Sequence, residues 1–239
     1  MSVLTLRLAG PLQSWGASAR FARRTTEAAP TKSGVIGMLA AAAGIERGDD
    51  DRLAPLAALK FGVRIDQPGT RVRDFHTAHH GLTGKSMPLS ERFYLADAVF
   101  VAALEGDRPL LGELHAALRA PVYAPFLGRR SCPPSLPVEL GLHEGGLVDV
   151  LREVPWQASA WYRRQYRGRN EIELTVLREA GEDEQQAGDV LRDQPLSFAA
   201  EHRRHALRTQ VSDCVRIPTP SARQLPRHDP FDALDEESA

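Results

Sequence analysis

Residues 31–44 read TKSGVIGMLAAAAG, and this stretch restricts the fold more than any other. A helix containing Gly34, Gly37 and Ala40 to Ala43 has a surface almost free of side chains. Each glycine costs a helix about 1 kcal/mol relative to alanine, so a close approach to a neighbouring layer must offset the loss. The obvious layer is a sheet. Val3-Leu4-Thr5-Leu6-Arg7-Leu8 alternates as a first strand and ends at Gly10-Pro11. Thr31 is placed to N-cap the helix and Gly44 to end it.

Between strand and helix lie the turn Gln13-Ser14-Trp15-Gly16 and a loop carrying Arg20, Arg23 and Arg24. The free N–H groups at the helix start, together with Thr31, Lys32 and Ser33, make a candidate anion cradle, because the helix dipole favours negative charge there. It is not a nucleotide triphosphate loop. The glycines that loop requires would fall at Thr26 and Thr31, and the dinucleotide fingerprint is missing as well. Nothing in the sequence calls for a cofactor. Trp15 reads as a packing anchor beside a turn rather than a base-stacking residue.

The 239 residues suffice for a real core, and 42% apolar with 26% charged residues fits a globular chain. There is no membrane-length apolar run and no signal-peptide pattern. Cys132 and Cys214 are far apart and outside any paired motif, which fits a reducing cytoplasm. The formal charge of −1 divides unevenly: residues 1–130 hold 17 basic against 12 acidic side chains, and residues 131–239 hold 13 against 19. A basic front half points to an anionic partner. Only Lys32, Lys60 and Lys85 are lysines; compositional bias accounts for most of the arginine excess, so each arginine needs local support as a phosphate contact.

Further along, a short helical piece is expected around Leu53 to Leu59, then a strand from Phe61 to Ile65 turned by Pro68-Gly69. Residues 71–100 read as a long hairpin, with Arg71 to Thr77 climbing and Arg92 to Val101 returning. Its glycine-bearing tip, 79–90, is long for a simple turn and suits a binding loop. His76, His79 and His80 lack partners at metal-ligand spacing, so no metal site is expected. His76 reads as a hydrogen-bonding or stacking residue; a general base for RNA cleavage is the competing reading. Leu110, Leu111, Leu114 and Leu118 predict a second amphipathic helix stopped at Pro121. Arg129 and Arg130, after Gly128 and before a proline-stiffened segment, are candidate phosphate contacts.

Trp156, Trp161, Tyr162 and Tyr166 interleave with Arg163, Arg164, Arg167 and Arg169. That pattern fits single-stranded nucleic acid, a protein-contact face, or half-buried structure, and the sequence leaves all three open. Strands are expected over 171–177 and 207–217, an acidic surface loop over 179–193, and a disordered acidic tail from Pro218. The element order predicts an α+β, modified ferredoxin-like antiparallel sheet with helices on one face and a protruding β-hairpin. The aromatic motif of an ordinary RRM is missing.

The motifs Leu8-Ala9-Gly10-Pro11-Leu12-Gln13-Ser14-Trp15-Gly16, Pro30-Thr31-Lys32-Ser33-Gly34 and Arg73-Asp74-Phe75-His76-Thr77 occur in order. Tyr94-Leu95-Ala96-Asp97-Ala98 and Leu127-Gly128-Arg129-Arg130-Ser131-Cys132-Pro133 follow. Together they resemble the CasD family, the RAMP-superfamily subunits of the type I-E CRISPR Cascade complex. The resemblance covers residues 3–138 and is loose beyond 140. It implies a ferredoxin-like region over 1–138 with a thumb at about 71–100, and a β-rich part over 139–217 that completes or packs on it. It further implies a non-catalytic cytoplasmic subunit that binds the 5′ handle of CRISPR RNA, touches CasC-type backbone and CasA-type large subunits, and meets target DNA indirectly through the complex. The expected RNA contacts are Gln13, Arg24, Thr31, Lys32, Ser33, His76, Arg129 and Arg130. The competing reading is a metal-independent endoribonuclease using His76 with Lys32 or a tyrosine. A third is a scaffold whose basic front meets an acidic protein.

Overall fold

A computed structural model describes residues 1–17 and 23–219. β1 (Ser2–Ala9), β2 (Leu12–Gln13) and β3 (Arg23–Arg24) precede α1 (Lys32–Ala42) and α2 (Asp50–Ala57). β4 (Lys60–Gln67), β5 (Thr70–His76), β6 (Ser90–Ala96), β7 (Val99–Gly106) and α3 (Arg108–Arg119) follow. The chain continues through β8 (Glu139–Glu144), α4 (Leu147–Glu153), α5 (Ala160–Arg163), β9 (Glu171–Glu179), β10 (Asp189–Ser197) and β11 (Arg204–Pro218).

Seven strands form one antiparallel sheet in the order β10-β11-β9-β4-β7-β1-β8. Its inner strands are covered on both faces, and their side chains alternate between two cores. Leu4, Leu6 and Leu8 of β1 point to one core with Phe100, Ala102 and Leu104 of β7; Val3, Val101 and Ala103 point to the other. The first core lies under α1, α2 and α3, the arrangement expected from sequence. The second lies under α4, through Leu147, Val150 and Leu151 with Val176, Val215 and Ile217. Helices thus occupy both faces, because residues 147–153 bring a second apolar stripe that the loosely patterned 136–217 region concealed.

The glycine-rich helix behaves as its sequence requires. Thr31 caps α1 by accepting a hydrogen bond from the Gly34 N–H. A Cβ at Gly34 would lie 2.9 Å from the buried Trp15 ring, so the helix seats directly on the indole. Trp15 is therefore the packing anchor.

Two sequence-based boundaries move. The expected return strand 92–101 is two strands, β6 and β7, lying in different sheets. They part at Asp97, whose φ of +56° breaks the strand while its N–H donates to the Pro11 carbonyl. The hairpin is therefore β5–β6, paired from Thr70↔Ala96 to His76↔Ser90, and it forms a small second sheet with β2 and β3. At the other end β11 runs through Pro218, where the tail was expected to begin. Residues 220–239, like Arg20 of the early loop, lie outside the described residues.

One buried ion pair ties the two halves of the chain. Arg64 and Asp66, both on β4, are fully buried and bond through two guanidinium nitrogens at 2.7 and 2.9 Å. Arg64 also donates to the carbonyls of Leu151, Val154 and Pro155, closing the end of α4. The Trp156 indole N–H donates to the Asp66 carbonyl, and the Gln157 N–H to its carboxylate. Burial pushes the Asp66 carboxyl up and the Arg64 guanidinium pulls it back. Arg64→Met strands that carboxylate and three carbonyls, so denaturant unfolding should report a loss of about 3–5 kcal/mol.

Candidate nucleic-acid interface

The small sheet and the 127–134 loop gather cations at the root of the hairpin. β6 is the hub: β5 lies along one edge, β2 and β3 along the other. Parallel pairing sets Arg23 opposite Glu91 and Arg24 opposite Arg92. Arg129 reaches this corner from the 127–134 loop. Its guanidinium lies 4.6 Å above the Tyr94 ring and donates to the Arg24 carbonyl at 3.0 Å. Arg23 sits 5.3 Å over Phe93. Stacking on a ring holds a guanidinium plane in place before any ligand arrives.

The loop bearing Arg129 and Arg130 is fixed by its backbone. Leu127 is buried, its N–H donates to the Cys132 carbonyl, and the Ser14 N–H donates to the Leu127 carbonyl. Gly128 has a φ of +83°, and a Cβ there would fall 1.8 Å from the Ser14 carbonyl oxygen. No other residue fits. Arg129 is half-buried by Tyr94 and Arg130 is exposed.

Strand alternation adds residues that the motif reading passed over. Arg71, Arg73 and Phe75 share one face of β5; Asp74 and His76 share the other. Arg71 donates to the Thr26 carbonyl, and Arg73 lies 4.7 Å over the Phe75 ring and 3.5 Å from Glu91. The period-two placement of Arg71 and Arg73 was visible in the sequence; that Phe93 lies beneath Arg23 and Tyr94 beneath Arg129 needed the structure. His76 Nε2 sits 2.5 Å from the Asp74 carboxylate, both partly exposed. Beyond it, the tip exposes Leu82, Met87 and Leu89.

The α1 cradle is a correction to the sequence reading. Its N-terminal position is already taken by the buried Asp193 carboxylate from β10, which accepts the Lys32 backbone N–H at 2.8 Å. Arg208 of β11 grips the same carboxylate through two nitrogens at 2.9 and 2.8 Å. Lys32 is buried, its ammonium 2.7 Å from Glu179. Burial holds the Lys32 pKa below the ordinary lysine value, against the pull of Glu179. Thr31 is likewise buried, its hydroxyl spent on the cap. Gln13 is also fully buried. Its amide donates to the Leu8 and Ala98 carbonyls at 3.0 and 2.7 Å and accepts from the Trp15 indole at 3.0 Å. Of the residues named from the early motifs, Arg24 is exposed and Ser33 half-buried; Gln13, Thr31 and Lys32 support the framework in this chain.

Similarity to known proteins agrees with this geometry. The sequence matches the family CRISPR-associated protein (Cas_Cas5) over residues 3–211. The chain belongs to that family. CRISPR system Cascade subunit CasD of Escherichia coli (strain K12) is 39% identical, over 59% of this chain and 70% of that protein. A solved chain of a CRISPR RNA-guided surveillance complex superposes with a TM-score of 0.75 at 34% identity, covering 92% of this chain and 95% of the other. A crystal structure of a Cas protein gives 0.71 at 36% identity, covering 92% and 100%. The mixed α+β architecture is thus that of the Cas5 family, and the β5–β6 hairpin lies in the segment expected to form a thumb.

In this Cas5 chain the aromatic run 156–166 is mostly structural. Trp156 is buried, and Tyr162 and Tyr166 pack edge-on against it with ring centroids at 6.2 and 5.4 Å. Among the described residues no cluster of three or more His, Cys, Asp or Glu side chains is arranged to hold a metal ion. Lys32→Met tests the reassignment of the cradle. It leaves Glu179 without its cation, and since Glu179 keeps some water contact the cost should be about 3 kcal/mol by denaturant unfolding. RNA affinity of the folded protein should stay unchanged in an anisotropy titration.

Proposed function

We propose that this Cas5 chain is the RNA-binding, non-catalytic subunit of a CRISPR RNA-guided surveillance complex. It holds the 5′ handle of CRISPR RNA and contacts CasC-type backbone and CasA-type large subunits, so that target DNA is met through the assembly. The site of action is the cytoplasm; no helix among the described residues is long and apolar enough to cross a membrane. The observation that carries the reading is the arginine group at the thumb root, set on the fold of a surveillance-complex chain.

A handle of fixed sequence needs phosphate contacts to set register and a few base contacts to splayed single-stranded RNA. Arg24, Arg129 and Arg130 supply the first. Arg129 arrives pre-oriented on Tyr94, so less side-chain freedom is lost on binding than a free arginine would lose. His76, on the thumb, supplies a donor or a ring for a base, and Ser33 lies at the half-buried edge of α1. Gln13, Thr31 and Lys32 act behind this surface, holding β2 and α1 in place.

Cleavage of RNA by this chain is the less favoured reading on a specific ground. Lys32, its suggested partner for His76, is buried and paired with Glu179. Repeat RNA incubated with the purified chain in EDTA should remain intact on a denaturing gel. Site-specific cuts lost in His76→Ala would reverse the assignment.

Arg129→Ala combined with Arg130→Ala should weaken handle-RNA binding, most strongly at low salt. Removing two contacts to a single strand lowers the slope of log K against log salt by about 1.4. Unchanged affinity and slope would clear those two residues of any phosphate contact.

A further inference from the structure

We propose that residues 160–169 form a second, sequence-indifferent contact for single-stranded nucleic acid, separate from the thumb-root arginines. α5 and the 3-10 turn Arg164–Tyr166 that follows it lie over the core beneath α4. The base of this segment is rigid. Buried Trp156 donates to the Asp66 carbonyl, Tyr162 and Tyr166 pack on it, and their hydroxyls lie 3.2 Å apart. Its outer part is open: Trp161 stands edge-on to Tyr162 with half its surface exposed.

The same segment carries Arg163, Arg164, Arg167 and Arg169, the last stacked 5.6 Å from the Tyr166 ring. Among the described residues none of the four guanidiniums meets a carboxylate within ion-pair distance, whereas Arg64, Arg178, Arg208 and Arg216 all do. Four cations without a carboxylate partner among the described residues, in one segment with an exposed aromatic ring, are the composition of a strand-binding platform, where the cations follow the backbone and the ring stacks on a base. Protein-contact faces also favour Trp, Tyr and Arg; four cations with no acid in one ten-residue segment weight this one towards a polyanion. The two cationic groups rest on different cores. Tyr94 beneath Arg129 belongs to the core under α1–α3, and Trp156 beneath this segment to the core under α4.

The last described residue lies at the rim of this face: Thr219 donates its N–H to the Asn170 carbonyl at 2.9 Å and its hydroxyl to that of Arg169. In sequence, residues 220–239 follow. They carry Asp229, Asp232, Asp235, Glu236 and Glu237 against Arg223 and Arg227.

Titrating the full chain with oligothymidylate of about 12 nucleotides tests the proposal. Binding should quench tryptophan emission, because Trp15 and Trp156 are shielded and Trp161 alone of the three is exposed. Trp161→Phe should abolish the quench while anisotropy still reports binding. Arg164→Gln, Arg167→Gln and Arg169→Gln together should weaken binding about tenfold or more and lower the salt slope by about 2. The same triple variant should bind handle RNA as before, which also shows that it folds, and one equivalent of handle RNA, enough to fill the thumb-root site, should leave oligothymidylate bound. Unchanged affinity and slope in the triple variant would overturn the proposal, as would displacement by one equivalent of handle RNA or tighter binding of duplex DNA. So would loss of a partner subunit with strand binding intact, which makes the face a protein interface. Binding that appears only after removal of 220–239 would assign the face to the acidic segment instead.

Discussion

The carboxylate of Asp193 is the contact on which the arrangement of this chain turns. It sits at the N-terminus of α1, where the backbone N–H groups and the helix dipole favour an anion, and it neutralises Arg208 at the same time. One buried charge thereby fastens the glycine-rich helix of the first motif to the last two strands of the sheet. Had that position been open to solvent, Lys32 and the α1 terminus would form a phosphate cradle. Filled from within, they form a joint. The cationic surface has to be built elsewhere, and it is: at the thumb root, from residues whose backbones the small sheet holds.

Much of the framework was readable from local chemistry. The Thr31 cap, the strand before Gly10-Pro11 and the packing role of Trp15 follow from residue type and spacing. The helix ended before Pro121 for the same reason. What escaped depended on contacts between residues far apart in sequence. Asp193 lies 161 positions from Lys32, and no pattern near either residue announces the pair. Asp97 looked like one polar position in an alternating run; its left-handed backbone, which splits thumb from core strand, is imposed by Pro11 and Gln67 contacts. α4 was missed because a seven-residue helix offers too little periodicity to stand out.

The candidate site divides along the same line. The loop that carries Arg129 and Arg130 was legible as a constrained one because Gly128 and the prolines mark it. Gln13 and Lys32 were polar residues in a motif, and a sequence does not say whether a polar side chain is presented or buried with its partners. Here both are fully used: every hydrogen-bonding position of the Gln13 amide that the core reaches is spoken for, and the Lys32 ammonium has its carboxylate. A motif can therefore persist around a binding site by holding its framework rather than by touching ligand.

Charge tallied over halves of the chain misleads in the same way. The excess of acids after residue 130 suggests an acidic back, yet several of those carboxylates are matched internally: Asp193 by Arg208, Asp213 and Glu184 by Arg178, Glu173 by Arg216. The Glu184 carboxyl is held down at about 2 by its bonds to Arg178 and the Gly181 N–H, so it is charged and fully engaged. Each pair takes a base out together with its acid, so the acidic excess of this half stands, but it is unevenly placed: residues 160–169 carry four arginines and no acid, and among the described residues those arginines meet no carboxylate.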